Sequence, residues 1–257
     1  MDLAIELKNR LKTKPILLMT HLVVGYPSMA VNREVIAQMA ANGVDCIELQ
    51  IPFSEPIADG PVILKANQQS LNTGISVEDC FQFGQEMATK FPSVRFFFMT
   101  YYNIVFKYGE EAFLRRTKEI GFYGTIVGDL PPEEGETFLT TSEALGLAPI
   151  QFFTPTSTDE RMREVAALAK GFIYCVARRG VTGKQTTFDD DSLTTYLARC
   201  RKATDLPLAV GFGISNREDV AMLQGQADMA VIGTATIKLV DAHGAEAVGP
   251  FIAGLLG

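Results

Sequence analysis

The chain has 257 residues, 47% hydrophobic and 21% charged, the balance of a globular protein long enough to bury a core without staples. Its net charge is -7 and its Lys and Arg residues are scattered, which argues against a nucleic-acid surface. No apolar run reaches membrane-spanning length, the four cysteines form no CxxC pair, and two histidines are too few for a His-based metal site.

There is no linker, charge block or tandem repeat, so a single domain over residues 1–257 is expected. The first residues, Met1-Asp-Leu-Ala-Ile-Glu-Leu-Lys8, read as a helix and not as a signal peptide. Cys46 and Cys175 fall in apolar strands, and all four cysteines read as thiols in a reducing cytoplasm.

Short apolar runs then recur at 15–24, 46–51, 95–99, 125–127, 148–153, 172–176, 208–210 and 229–232. Each has the length of a buried parallel strand. Helical patterns separate them. Val31, Val35, Ile36 and Met39 make one apolar face, which Asn42-Gly43 ends. Ser76-x-x-Asp79, Ser157-x-x-Glu160 and Ser215-x-x-Glu218 resemble capping boxes that open three more helices. Eight strands alternating with helices specify a single (β/α)8 TIM barrel, here with an extra N-terminal helix and a short helix over 235–240 after the last strand. A doubly wound sheet is the alternative, but no Gly-rich dinucleotide fingerprint follows the first strand.

In a barrel, function gathers just past the C-terminal ends of the strands. There the sequence places Glu48 and Asp59 around strand 2, Tyr101 and Asn103 after strand 3, and Asp129 after strand 4. Thr154 follows strand 5, and Arg178 with the turn Gly180-Val-Thr182-Gly183 follows strand 6. Gly211-Phe-Gly213 and Gly233-Thr234 follow strands 7 and 8. Two carboxylates at one strand end suit proton transfer without a metal, although the same spacing is compatible with a solvated loop. Gly183, Gly211, Gly213, Gly233 and Thr234 either make tight turns or seat a phosphate on main-chain N–H groups and a helix N-terminus. No strand carries a lysine for a Schiff base, and no acidic or His cluster has metal-ligand spacing.

Four motifs in combination resemble the tryptophan synthase alpha subunit over nearly the whole chain. They are Glu48-Leu-Gln-Ile-Pro-Phe-Ser-Glu-Pro-Ile-Ala-Asp-Gly-Pro61, Asp129-Leu-Pro-Pro-Glu-Glu134, Arg179-Gly-Val-Thr-Gly183 and Gly211-Phe-Gly-Ile-Ser215. The resemblance implies reversible, cofactor-free cleavage of indole-3-glycerol phosphate to indole and glyceraldehyde 3-phosphate. It also implies a beta-subunit partner in an alpha2-beta2 heterotetramer. It makes Glu48 the proton carrier and Asp59, on a more polar loop, the standing charge that accepts the indole N–H. Tyr101 and Tyr174 match aromatics near the indole, and either can equally be barrel packing. Thr182 matches a loop threonine that bonds the catalytic aspartate as the loop closes. His21 reads as a core residue with a satisfied ring and no role.

The chain departs from the pattern at Gln50 (usually Gly), Glu55 (usually Asp) and Thr234 (usually Ser). Gln50 is expected to narrow the pocket or reshape the loop. A solitary indole-releasing lyase, a barrel acting on another phosphosugar and a non-catalytic partner are the other readings.

Overall fold

The computed structural model describes residues 2–177 and 190–256. Eight parallel strands close on themselves in sequence order, β1 (Leu17–Val23), β2 (Cys46–Gln50), β3 (Arg95–Thr100), β4 (Gly124–Val127), β5 (Ala148–Phe153), β6 (Ile173–Val176), β7 (Leu208–Gly211) and β8 (Met229–Ile232). The last strand returns to the first, with Leu17 opposite Met229. Every expected strand is present. The apolar runs identify them because a strand covered on both faces has no polar side to alternate with. All seven residues of β1 are buried.

Helices pack outside. Before β5 they are α1 (Leu3–Arg10), α2 (Met29–Ala41), α3 (Pro61–Leu71), α4 (Val77–Lys90), α5 (Tyr102–Tyr108), α6 (Glu110–Glu119) and α7 (Glu136–Ala144). After β5 come α8 (Asp159–Leu168), α9 (Asp190–Ala203), α10 (Arg217–Leu223), α11 (Thr234–His243) and α12 (Val248–Leu256). The sequence signals for their ends hold in part. Ser76 and Asp79 form the expected capping box on α4. Gly43, with φ +88°, follows the Asn42 cap of α2. Two caps lie one residue later than expected. Thr158 accepts from the Arg161 amide and Asn216 from the Asp219 amide. Ser157 is instead engaged with Thr154, whose N–H and hydroxyl it meets at 3.2 and 2.9 Å. The helix after β8 is also longer than expected, spanning ten residues, because the apolar face of Ile237 and Val240 continues to a glycine stop at Gly244.

The interior of the barrel is a layered apolar core that includes Leu17, Met19, Cys46, Phe97, Ile126 and Phe172. Phe97 and Phe172 meet edge to face at 5.4 Å. Leu3 and Leu7 of α1 close the floor. Beneath them Asp45 accepts from Arg10, from Lys14 and from the Leu18 amide, while Glu6 accepts from Arg10 and Arg95. Gly124 lets β4 and β5 approach, since a Cβ there would lie 2.0 Å from the Ala148 carbonyl oxygen. The four cysteines are all buried thiols.

Candidate active site

Strand alternation aims every second residue into the barrel. On β1 the inward set Leu17 and Met19 continues to His21 and Val23, and on β2 Cys46 continues to Glu48 and Gln50. The parallel register sets His21 opposite Glu48 and Val23 opposite Gln50. The layers therefore change from apolar to polar toward the mouth, and Glu48 becomes a buried carboxylate 4% exposed. His21 Nδ1 lies 2.9 Å from Glu48 Oε1. His21 is a core residue as expected, and its ring has the buried Glu48 carboxylate as a partner.

Asp59 sits in the loop between β2 and α3. The Gln50 amide donates to its Oδ2 at 2.6 Å, and the Tyr101 hydroxyl donates to the same oxygen at 3.0 Å. Tyr101 is fully buried, receives the Ala58 N–H at 3.2 Å and stacks on Phe53 at 5.3 Å. Buried Asn67 of α3 accepts the Phe53 N–H at 3.0 Å. The loop is pinned from the barrel, from β3 and from α3, so Asp59 is held beside Glu48's strand and is half-buried.

The electrostatics differ from the sequence expectation. Burial raises the Asp59 carboxyl above its ordinary value, and the charge of His21 with the bonds from Gln50 and Tyr101 offsets this only in part. Asp59 thus lies in a more enclosed setting than its loop position suggested. For His21, burial opposes the charged ring. The hydrogen bond to Glu48 and the charges of Glu48 and Asp59 outweigh it, and the imidazole pKa is raised.

Tyr174 projects from β6 on the opposite wall. Burial lifts its phenol well above the usual value, and the charges of Glu48 and Asp59 add to this. Its ring lies 5.4 Å from that of Phe152. A Cβ on Gly211 would stand 3.3 Å from its hydroxyl oxygen, so the glycine leaves room for the Tyr174 tip. Gly211 ends β7, and Gly213 in the following loop has φ +93°. Val210 pairs with Ala230 of β8, so the two strands open at the same level. Gly233 and Thr234 begin α11, whose first turn has no side-chain cap. Gly211, Gly213, Gly233 and Thr234 thus lie on adjacent loops. Asp129 accepts the Tyr102 N–H at 2.7 Å, fixing the start of α5 at the rim. Thr182 and Gly183, with Arg178 and the rest of that turn, lie outside the described residues.

Gln50 fills the barrel interior with no exposure. It supplies a donor to Asp59. Period-two alternation along β1 and β2 is the signal that could have exposed both His21 and Gln50.

The sequence profile of the family described as tryptophan synthase alpha chain matches residues 7–249. A tryptophan synthase alpha chain from Desulfotalea psychrophila is 61% identical over 249 residues, spanning 97% of each chain. The chain belongs to the tryptophan synthase alpha chain family. A solved Mycobacterium tuberculosis tryptophan synthase superposes with a TM-score of 0.90 at 28% identity, covering 98% of this chain and 95% of that one. A chain of the Pyrococcus furiosus tryptophan synthase complex gives a TM-score of 0.84 at 28% identity, covering 94% and 98%. The alpha-chain fold therefore extends across nearly the whole length. Among the described residues, no helix is long and apolar enough to cross a membrane.

Proposed function

We propose that Glu48 and Asp59 carry the proton movements of the alpha reaction in this chain, and that the glycine turns after β7 and β8 hold the substrate phosphate. The chain is the alpha subunit of tryptophan synthase. It is a lyase that cleaves indole-3-glycerol phosphate to indole and glyceraldehyde 3-phosphate without a cofactor, and its partner is the beta subunit.

The reaction is a retro-aldol cleavage. A proton delivered to indole C3 by Glu48 makes that ring an electron acceptor. Loss of the side-chain hydroxyl proton to the same carboxylate then lets the C–C bond break. Its electron pair returns to the ring as indole leaves, and the former carbinol becomes the aldehyde. Asp59 accepts the indole N–H and balances the positive charge that develops on the ring in the transition state. The observation that supports these roles is the convergence of two carboxylates on one barrel mouth, each with a single oxygen engaged by described neighbours. Tyr101 sets the Asp59 carboxylate, and Tyr174 with Phe152 offers an aromatic wall for the indole. The start of α11, which no side chain caps, suits a phosphate dianion, with Gly211, Gly213, Gly233 and Thr234 forming the cradle. The roles of Thr182 and Gly183 rest on the sequence motif alone.

The test is indole release from indole-3-glycerol phosphate by wild type, Glu48→Gln and Asp59→Asn, each with and without the beta subunit. Loss of release in both variants, with phosphate-dependent binding of indolepropanol phosphate retained, supports the assignment. Wild-type turnover in Glu48→Gln would remove it.

A further inference from the structure

His21 is a titratable side chain of the barrel interior that the cleavage chemistry leaves unused. His21 comes from β1, the strand beside the one that carries Glu48, and both side chains are almost fully enclosed, at 4% and 5% exposure. The ring nitrogen Nδ1 meets Glu48 Oε1 at 2.9 Å. The atoms left over are informative. Glu48 Oε2 is buried with no hydrogen-bond partner among the described residues, whereas the Gln50 side chain lies against the His21 ring and favours its charged form. Buried polar atoms are normally paired, so the bare Glu48 oxygen is the one this arrangement leaves available at the mouth. Gln50 then connects this group to Asp59 through its amide nitrogen, at 2.6 Å.

We infer that His21 is the positioning residue of this site: its Nδ1–H anchors Glu48 Oε1, so that Oε2 alone is presented to the indole and the carbinol, while Gln50 fixes Asp59 to the same unit. The inference rests on the reading of Glu48 and Asp59 as the working acids. A glutamate on a strand has three side-chain torsions, and a proton carrier must meet both C3 and the hydroxyl from one position. The register of β1 and β2 supplies the anchor, because His21 is the residue directly opposite Glu48. A ring that donates through Nδ1 leaves Nε2 as an acceptor when neutral and as a donor when charged. The groups facing the ring are Glu48 and Gln50 from β2 and Asp59 from the following loop, with the Tyr174 phenol across the barrel close to both acids. The two carboxylates favour the charged ring and the enclosure opposes it, with the carboxylates prevailing.

The experiment uses the chain in complex with its beta subunit and compares wild type, Glu48→Gln, His21→Phe and His21→Asn. His21→Phe keeps the volume and removes the donor. His21→Asn places an amide N–H near the position of Nδ1–H. The expected result is a fall in kcat of about 10- to 100-fold in His21→Phe, with KM within about threefold of wild type, and recovery of a substantial part of that loss in His21→Asn. A second readout needs no turnover. The chain has only two histidines, and His243 is exposed on α11, so nitrogen NMR of the imidazoles resolves His21 against an internal reference. In wild type the His21 titration should lie above about 6.5, and in Glu48→Gln it should move down.

Wild-type kcat in folded His21→Phe, or an Asn variant no better than Phe, overturns the inference. So does a His21 titration that ignores Glu48→Gln. If Glu48→Gln itself cleaves at the wild-type rate, the acid–base assignment falls and the anchoring role falls with it. If Glu48→Gln is inactive and His21→Phe is not impaired, only the role of His21 is lost.

Discussion

At the floor of the barrel, Asp45 receives Arg10, Lys14 and the Leu18 amide, so both of its oxygens are engaged. At the mouth, further along the same strand, Glu48 has His21 on one oxygen and, among the described residues, no partner on the other. Both are carboxylates on or beside β2, and both are enclosed. The floor uses its charge to close the structure, with cations that reach solvent. The mouth leaves capacity open, which weakens the fold locally and keeps an oxygen free for a substrate proton. The difference separates a carboxylate whose oxygens are both engaged from the one proposed to carry protons, without reference to sequence motifs.

Exchanging the consequences of the two sites is the strongest way to break this contrast. Glu48→Gln should lower kcat/KM by about 10²–10⁴ while thermal melting stays within a few degrees of wild type, as followed by indole release and calorimetry. Asp45→Ala should do the reverse. It leaves the Leu18 amide and two cations without their acceptor and should lower stability by about 2–3 kcal/mol in urea unfolding. Its kcat per folded molecule should match wild type. A stability loss in Glu48→Gln equal to that in Asp45→Ala would erase the distinction.

Gly211→Ala sharpens the comparison on the substrate side. The added methyl meets the Tyr174 hydroxyl at 3.3 Å and should raise KM for indole-3-glycerol phosphate roughly tenfold with little change in melting. Smaller still is the effect of Asp59→Asn on stability. Burial makes the folded chain hold the Asp59 proton more tightly than the unfolded chain, so ionisation of Asp59 works against the fold. The variant should therefore melt higher than wild type at neutral pH and lose that advantage toward about pH 4, while its cleavage activity is poor throughout. The slightest effect concerns His21. Its raised pKa gives stability that is complete below about pH 6.5 and is lost as pH rises through the folded value. A melting series in pH should show that decline in wild type and a flatter course in His21→Phe.

Much of this was legible in the chain because parallel strands announce themselves as apolar runs, and all eight were found where those runs lie. Glu48, Asp59 and the glycine turns were legible because a motif carries them at fixed spacing. What the sequence withheld depends on pairing between strands. His21 is one polar residue in an apolar run, and only the register that sets it opposite Glu48 gives it a partner. The environment of Asp59 was misjudged because a loop is usually wet, whereas this one is folded inward by Tyr101, Gln50 and the Asn67 anchor. The misplaced caps at Thr158 and Asn216 have a local cause: the neighbouring residue also offers a capping oxygen, and spacing alone does not choose between them.

The closure of β1 on β8 has a bearing on biosynthesis. Leu17 emerges from the ribosome long before its partner Met229. Until then one edge of β1 exposes unpaired N–H and C=O groups, and the growing sheet is an open ribbon with two adhesive borders. The final ladder also carries the longest sequence separation in the barrel, so its loop-closure entropy is met last. A nascent chain stalled before Met229 would hold Glu48 and Asp59 yet lack the seam that makes the barrel a cylinder, and it is at this stage that a chaperone has most to shield.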